Sequence, residues 1–377
     1  MNNKIYLDNN ATTKVDEEVF DAMLPYLREE YGNPSSSYNF GKKIKKEIEK
    51  ARESVAKLIN ANSDEIIFTS CATESNNAAI MSAIRSFPNK KHLITTKVEH
   101  ASIMETMKYL ESIGYYVTYL SVDKDGNLDL DELKDSISSD TLLVSIMFAN
   151  NETGVIFPIE EIGSIVKEKD ILFHVDAVQA IGKVDVDVEK CNIDMLSMSG
   201  HKLYAPKGVG ALYKRRNIPF VPLVFGHQES NMRGGTENVA YIVGFGKACE
   251  IALSKHNVKE LCDYLKLELM SKFNDIVIYG DENSKLDNTI NVAFAGINGE
   301  ELLIMLEQQN IFVSTGSACN STSIDHSHVL VAMNADLDKY SPIRISLGKY
   351  NNKDDVDFVI IRLEKIINIL KRKNYGG

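Results

Sequence analysis

Apolar residues recur along this chain at two different spacings, and the change of spacing marks out its elements. Between residues 41 and 59, Ile44, Ile48, Ala51, Val55 and Leu58 fall at helical intervals, with lysines and glutamates between them. The lysine-rich run from Lys42 to Lys50 is therefore read as the solvated face of an amphipathic helix. Short apolar runs follow at 65–69, 92–96, 115–120, 142–148, 171–175 and 194–198, and helix-like segments separate most of them. This alternation predicts βα units and a mostly parallel sheet. Near Ala240 the rhythm changes. Helix-like stretches at 242–255 and 258–272 precede strands near 276–279 and 289–294, a helix near 300–309, a strand near 343–347 and a long amphipathic helix near 354–370. That order predicts a smaller α+β unit. No internal repeat or low-complexity linker is visible.

Length and charge narrow the class. The chain has 377 residues, 44% of them hydrophobic, and single cores stop growing at about 250–300 residues, so two domains are expected. A net charge of -11 argues against a nucleic-acid-binding surface. The start, MNNKIYLDNNATTK, lacks the basic segment and apolar core of a signal peptide, and the apolar stretch at 142–149 is far short of a bilayer span. Five scattered cysteines (Cys71, Cys191, Cys249, Cys262 and Cys319) include no CxxC pair. Neither a disulfide framework nor a zinc site is indicated, and a cytoplasmic protein with free thiols is expected.

Three segments carry candidate chemistry. The run from Ile171 to Gln179 is an apolar strand ending in Asp176, and ligands of open α/β sheets gather at the carboxyl ends of strands. The run from Ile193 to Lys202 brings Ser199, His201 and Lys202 to the same edge. A carboxylate and a lysine at neighbouring strand ends could grip the two sides of a pyridoxal phosphate (PLP) ring. The carboxylate would keep the pyridine nitrogen protonated and the lysine would hold the aldehyde as an imine. Between Phe68 and Asn77, a strand, a small-residue turn and a helix start suit a phosphate. Each segment also has an ordinary reading: a surface lysine, an aspartate capping a helix, and Thr73 as a simple N-cap.

Taken together, the motifs resemble a known family. Asp8-Asn-Asn-Ala-Thr-Thr13, Gly32-Asn-Pro-Ser-Ser36, Ala72-Thr-Glu-Ser-Asn-Asn77, Glu99-His100, Asn150-Asn-Glu-Thr-Gly154, His174-Val-Asp-Ala-Val-Gln179 and Ser199-Gly-His-Lys202 occur in order. Arg233-Gly-Gly-Thr-Glu-Asn238, Ser314-Thr-Gly-Ser-Ala-Cys319 and Ile343-Arg-Ile-Ser-Leu-Gly348 follow. From about residue 4 to 371 the chain resembles cysteine desulfurases of the NifS/IscS type. The resemblance implies an α/β fold, the PLP-dependent transferase fold type I. Its large domain, with a mostly parallel sheet, would span 13–255. A smaller α+β domain, from 1–12 and 256–377, would carry the catalytic cysteine loop.

The resemblance also implies roles. Lys202 would bind the cofactor covalently, Asp176 would pair with its ring nitrogen, Gln179 with its phenolic oxygen, and His100 would stack on the ring and move protons. Ala72, Thr73, Ser199 and His201 would bind the phosphate, with Thr236 doing so from the partner of a homodimer. Asn151, also at the cofactor, and Arg344 would hold the substrate carboxylate, a guanidinium matching it as a fork. Cys319 would be the catalytic thiol that takes sulfur from L-cysteine, leaving L-alanine. An iron–sulfur scaffold or a tRNA-thiolation protein would be the acceptor. No metal site is implied, although Cys319 could ligate a transferred iron–sulfur cluster.

The stretch 314–325 is small, polar and poor in apolar anchors, so it is expected to move. Cys249 and Cys262, in helix-like segments, are expected to be packed thiols. Phe225-Gly-His-Gln228 departs from a glycine-richer family stretch and bears on the setting of Thr236. Related readings remain at this level: a selenocysteine lyase, a class V aminotransferase, or a catalytically silent scaffold partner. A metal hydrolase built on His100, His174 and His201 has no recognised ligand spacing to support it.

Overall fold

The computed structural model describes residues 4–254, 258–315 and 326–375. A short strand β1 (Ile5–Tyr6) leads into helices α1 (Glu17–Arg28) and α2 (Asn39–Leu58). On α2, Ile44, Ile48, Ala51 and Val55 are buried, as the periodicity predicts. Strand β2 (Ile66–Thr69), α3 (Ala72–Ser86), β3 (His92–Thr96), α4 (Ala101–Ser112), β4 (Tyr116–Leu120), α5 (Leu130–Ser136), β5 (Thr141–Met147), α6 (Ile159–Glu168) and β6 (Leu172–Asp176) alternate. Strands β7 (Met195–Ser199) and β8 (Gly210–Lys214) and helix α7 (Val239–Ala252) follow.

Seven of these strands form one sheet in the order β2-β8-β7-β6-β5-β3-β4. The pairs from β7 across to β4 are parallel, and β8 runs antiparallel between β2 and β7. The expected mostly parallel sheet is present. The apolar pattern does not predict strand β8, because Gly208 and Gly210 interrupt its run Val209-Gly-Ala-Leu-Tyr213. All seven residues of β5 are buried, as a strand covered on both faces requires. Successive strand residues feed opposite clusters. Leu93, Leu143 and Met195 pack with Ile80, Ile84 and Ile103 of α3 and α4, while Ile94, Val144 and Leu196 pack with Val19, Ile48 and Phe245 of α1, α2 and α7. Helix α7 lies so close to α2 that a Cβ on Gly246 would come within 2.6 Å of the Ala51 Cα.

The rest of the chain contributes α8 (Lys259–Lys272), β9 (Ile276–Tyr279), β10 (Thr289–Ala295), α9 (Gly299–Glu307), β11 (Ile311–Phe312), α10 (His328–Ala332), β12 (Tyr340–Ser346) and α11 (Lys353–Tyr375). Strand β10 lies antiparallel between β9 and β12, and β1 pairs in parallel with β11. A separate apolar cluster joins Ile5 and Leu7 to Leu265, Val292, Ile345 and Leu363, whereas Val329, Leu330 and Met333 pack into the large core. Among the described residues, no helix is long and apolar enough to cross a membrane.

A buried ion pair ties α2 to the loop before α7. Arg52 meets both Glu229 carboxylate oxygens, at 2.6 and 2.8 Å, and the Glu229 carboxylate also accepts the Phe68 N–H at 2.8 Å. Glu229, Ser230 and Asn231 all have left-handed backbone angles, so the pair holds a strained turn. Removing one partner of such a pair leaves a buried charge uncompensated. Arg52→Met is therefore expected to lower unfolding stability by about 3–5 kcal/mol, read as a fall in the urea midpoint. An unchanged midpoint would show that the pair adds nothing.

Candidate active site

The carboxyl ends of β5, β6 and β7 and the turn after β2 meet at one edge of the large sheet. There they line a cavity of about 310 Å³. Ala72, Thr73, His100, Asn151, Asp176, Gln179, Ser199, His201, Lys202 and Arg344 all border it, together with Asn10, Ala11, Cys71 and Ser102. Thr236 does not line this cavity and is exposed. Cys319 lies outside the described residues, as does most of the stretch 314–325 expected to move.

One wall is the start of α3. Its N-cap residue, Cys71, makes no side-chain capping hydrogen bond, so the first helix N–H groups and the positive end of the helix are available to an anion. Gly210 makes this turn possible: a Cβ there would sit 2.9 Å from the Cys71 carbonyl carbon and 2.7 Å from the Met198 carbonyl oxygen. Glu74, one turn into the helix, is bound by Arg233 at 2.8 Å, which ties the loop carrying Thr236 to the same helix.

Asp176, at the end of β6, is tied to the same helix. Its Oδ1 accepts the Val178 N–H at 3.0 Å, and its Oδ2 accepts from Asn76 Nδ2 at 2.7 Å. Asn76 also donates to Ser102 Oγ at 2.8 Å, and Ser102 N–H donates to His100 Nδ1 at 3.1 Å. Because His100 Nδ1 is an acceptor, the proton of the neutral ring sits on Nε2. Burial holds the His100 pKa below its ordinary value; Asp176 opposes that shift, and Lys202 and His328 add to it. His201 is pushed down to about 4 by burial, with Lys202 and Lys207 adding. His174 lies elsewhere: its fully buried ring bridges Ser145 and Ser197 across the sheet.

Lys202 donates to the Asn10 carbonyl and, at 2.8 Å, to the Ala11 carbonyl. Arg344, 4% exposed, binds Asp8 Oδ1 at 2.6 Å and the Asn151 carbonyl at 3.1 Å. Its Nε is buried without a protein partner.

Comparison with known proteins fixes the family. The aminotransferase class-V model matches residues 5–359. The chain belongs to the class-V aminotransferase family. A cysteine desulfurase of Trichormus azollae is 50% identical over 374 residues, covering 97% of this chain and 94% of that protein. The solved structure of a NifS-like protein superposes with a TM-score of 0.92 at 42% identity, covering 98% of this chain and all of that one. A structure described as SspA in complex with cysteine has a TM-score of 0.83 at 38% identity, covering 93% and 100%. The expected fold type I architecture is thereby established.

Pyridoxal phosphate is the cofactor of class-V enzymes. The residues present fit it: an uncapped helix start for the phosphate, a buried carboxylate for the ring nitrogen, and a lysine amine on the same cavity. Cys249 and Cys262 fit the packed reading. Cys191, Cys249 and Cys262 are buried, and burial raises all three pKa values, that of Cys262 to about 12. Cys71 differs, being half-buried at the cavity.

Reading residue by residue missed Asn10, Asn76 and the state of Glu99. Glu99 accepts from Thr96 Oγ1 at 2.8 Å and from the Met147 N–H at 3.0 Å, while its Oε2 is buried without a partner. Burial raises its pKa to about 8, and the nearby Asp176 charge adds to that. The folded chain therefore holds a proton that the unfolded chain releases once pH passes the ordinary carboxyl range. This contribution is full below that range and is lost as pH rises through about 8. Glu99→Gln, which cannot ionise, should flatten the decline in Tm between about pH 5 and pH 8. Parallel curves for the two proteins would rule the buried proton out.

Proposed function

We propose that this protein is a PLP-dependent cysteine desulfurase, which moves the sulfur of L-cysteine to the thiol of Cys319 and releases L-alanine. The observation that carries the reading is the convergence of Lys202, Asp176, Gln179, His100 and Arg344 on one cavity beside an uncapped helix start. The names of the relatives at half identity support the same reaction.

Bound in the cavity, the cofactor supplies an electron sink that labilises bonds at the substrate's α-carbon and so weakens the Cβ–S bond. The protein does the rest. Asp176 would accept the ring N–H and Gln179 would face the phenolic oxygen. The amides of Ala72 and Thr73, with Ser199 and His201, would hold the phosphate. Arg344, held by Asp8 and the Asn151 carbonyl, would present its guanidinium to the substrate carboxylate, with Asn151 beside it. Lys202 Nζ removes the α-proton, and His100 relays the proton that the carbon released from the substrate sulfur takes up in its place. The Cys319 thiol attacks that sulfur. A cysteine and a protein thiol become alanine and a protein persulfide, so atoms and electrons balance without an added oxidant.

The reading extends to a cytoplasmic homodimer in which Thr236 completes the partner's phosphate site. It also extends to a sulfur acceptor in iron–sulfur cluster assembly or tRNA thiolation. We read two domains, 13–255 and 1–12 with 256–377; the separate cluster joining Ile5 and Leu7 to Leu265 and Leu363 supports that division. The test is incubation of the holoenzyme with L-cysteine and a thiol reductant. Alanine and sulfide should appear in equal amounts. Amino transfer to a 2-oxo acid without sulfide would replace this reading by an aminotransferase.

A further inference from the structure

Lys183 follows Gln179 by four residues in the turn after β6. It does not line the catalytic cavity but a neighbouring one of about 390 Å³, which it shares with Lys202. Its Nζ donates to Gln179 Oε1 at 2.7 Å and to Asn10 Oδ1 at 3.1 Å. Both acceptors are amide oxygens. Burial pushes the Lys183 pKa down to about 7, and the charges of Lys202 and Arg344 push in the same direction.

Those bonds have a directional consequence. A lysine amine binds an amide through the oxygen, and Gln179 Nε2 in turn donates to the Asn10 carbonyl at 2.9 Å. With Oε1 occupied by Lys183, the second Nε2 hydrogen is left for the cavity that Gln179 borders. The same lysine orients Asn10. Asn10 Oδ1 accepts from Lys183 and Asn288, and its Nδ2 donates to Thr289 Oγ1 at 2.8 Å and to the Asn151 carbonyl at 3.2 Å. The Asn10 carbonyl also receives Lys202.

We infer that Lys183 is a positioning residue that locks the Gln179 amide, so that the cofactor's ring oxygen meets an N–H donor rather than a carbonyl. This rests on the placement of Gln179 at that oxygen given under the proposed function. A donor there stabilises the ring oxygen as an anion and loosens the proton shared between it and the lysine linkage. Losing the donor holds that proton more tightly.

The test is a pH titration of the visible absorption of the purified holoenzyme, which needs no turnover. Gln179→Ala should raise the midpoint by about one pH unit, the effect of one hydrogen bond to a charged group. Lys183→Met should raise it by a similar amount, and the double variant no further. Lys183→Arg, which keeps the donors, should restore the wild-type midpoint. Where Lys183→Met does not fold, Lys183→Ala takes its place with the same expected sign. A shift with Gln179→Ala but none with the Lys183 variants overturns the inference. Strictly additive shifts overturn it too, because Lys183 would then act through its charge alone. No shift with Gln179→Ala removes instead the underlying placement of Gln179.

Discussion

Replacing Lys202 by alanine should remove the visible absorption band of the bound cofactor and cut alanine formation from L-cysteine by at least about 10³-fold. The expectation follows from where the amine sits. Lys202 is the last residue of a short turn, Gly200–Lys202, that continues directly from β7, so a buried strand fixes its base. Its Nζ is held by the carbonyls of Asn10 and Ala11, from the segment that crosses the cavity between β1 and α1. Two cavities meet at this side chain. One amine thus serves two tasks in the proposed reaction, anchoring the cofactor and moving the α-proton, and its loss removes both. The fold should survive, because both carbonyls border space that water can enter. Circular dichroism should therefore match the parent. A Lys202→Ala protein that stays yellow and turns over L-cysteine would end the assignment.

The local elements were legible because each rests on a local pattern. The apolar spacing of α2 and the buried runs of β5, β6 and β7 are such patterns, and the strand ends they predict do carry Asp176, Ser199 and Lys202. Strand β8 was hidden by its glycines, and one of them, Gly210, is required by the approach of Cys71. The polar network behind the cavity is not legible in the sequence: neither the spacing nor the resemblance gives Asn10 a role. Asn10 reaches Gln179 across 169 residues and Lys202 across 192. No periodicity records such a pair, because the chain brings them together only once the sheet has formed. Lys183 is hidden in the sequence for a related reason. A lysine in a polar turn reads as solvated surface, and only the fold places its amine against the two amide oxygens. The proton on Glu99 is of the same kind: its carboxyl follows β3 closely in sequence, and its shift comes from burial by residues far along the chain.

Replacing Cys319 by alanine should leave the absorption band intact and reduce cysteine-derived persulfide on the protein by at least about 100-fold. The residues on either side of the undescribed segment give the physical case. Before it, Ser314 exchanges backbone hydrogen bonds with Arg344, at 3.1 and 2.6 Å, and Arg344 lines the cavity. After it, Ser327 Oγ donates to the buried Glu152 carboxylate at 2.5 Å, and His328 Nε2 contacts the Glu99 carbonyl at 2.9 Å, next to His100. Both ends are therefore held beside residues of the cavity. A free thiol is only a few per cent ionised near neutrality, so transfer should accelerate as pH rises toward about 8.5. Cys71 offers an internal control. It borders the same cavity but sits at the proposed phosphate end, and Cys71→Ala should keep persulfide formation. The persulfide is read by alkylation with a thiol-specific reagent, followed by reductive release and peptide mapping. Undiminished persulfide in Cys319→Ala, or its loss in Cys71→Ala alone, would transfer the catalytic role to the other thiol.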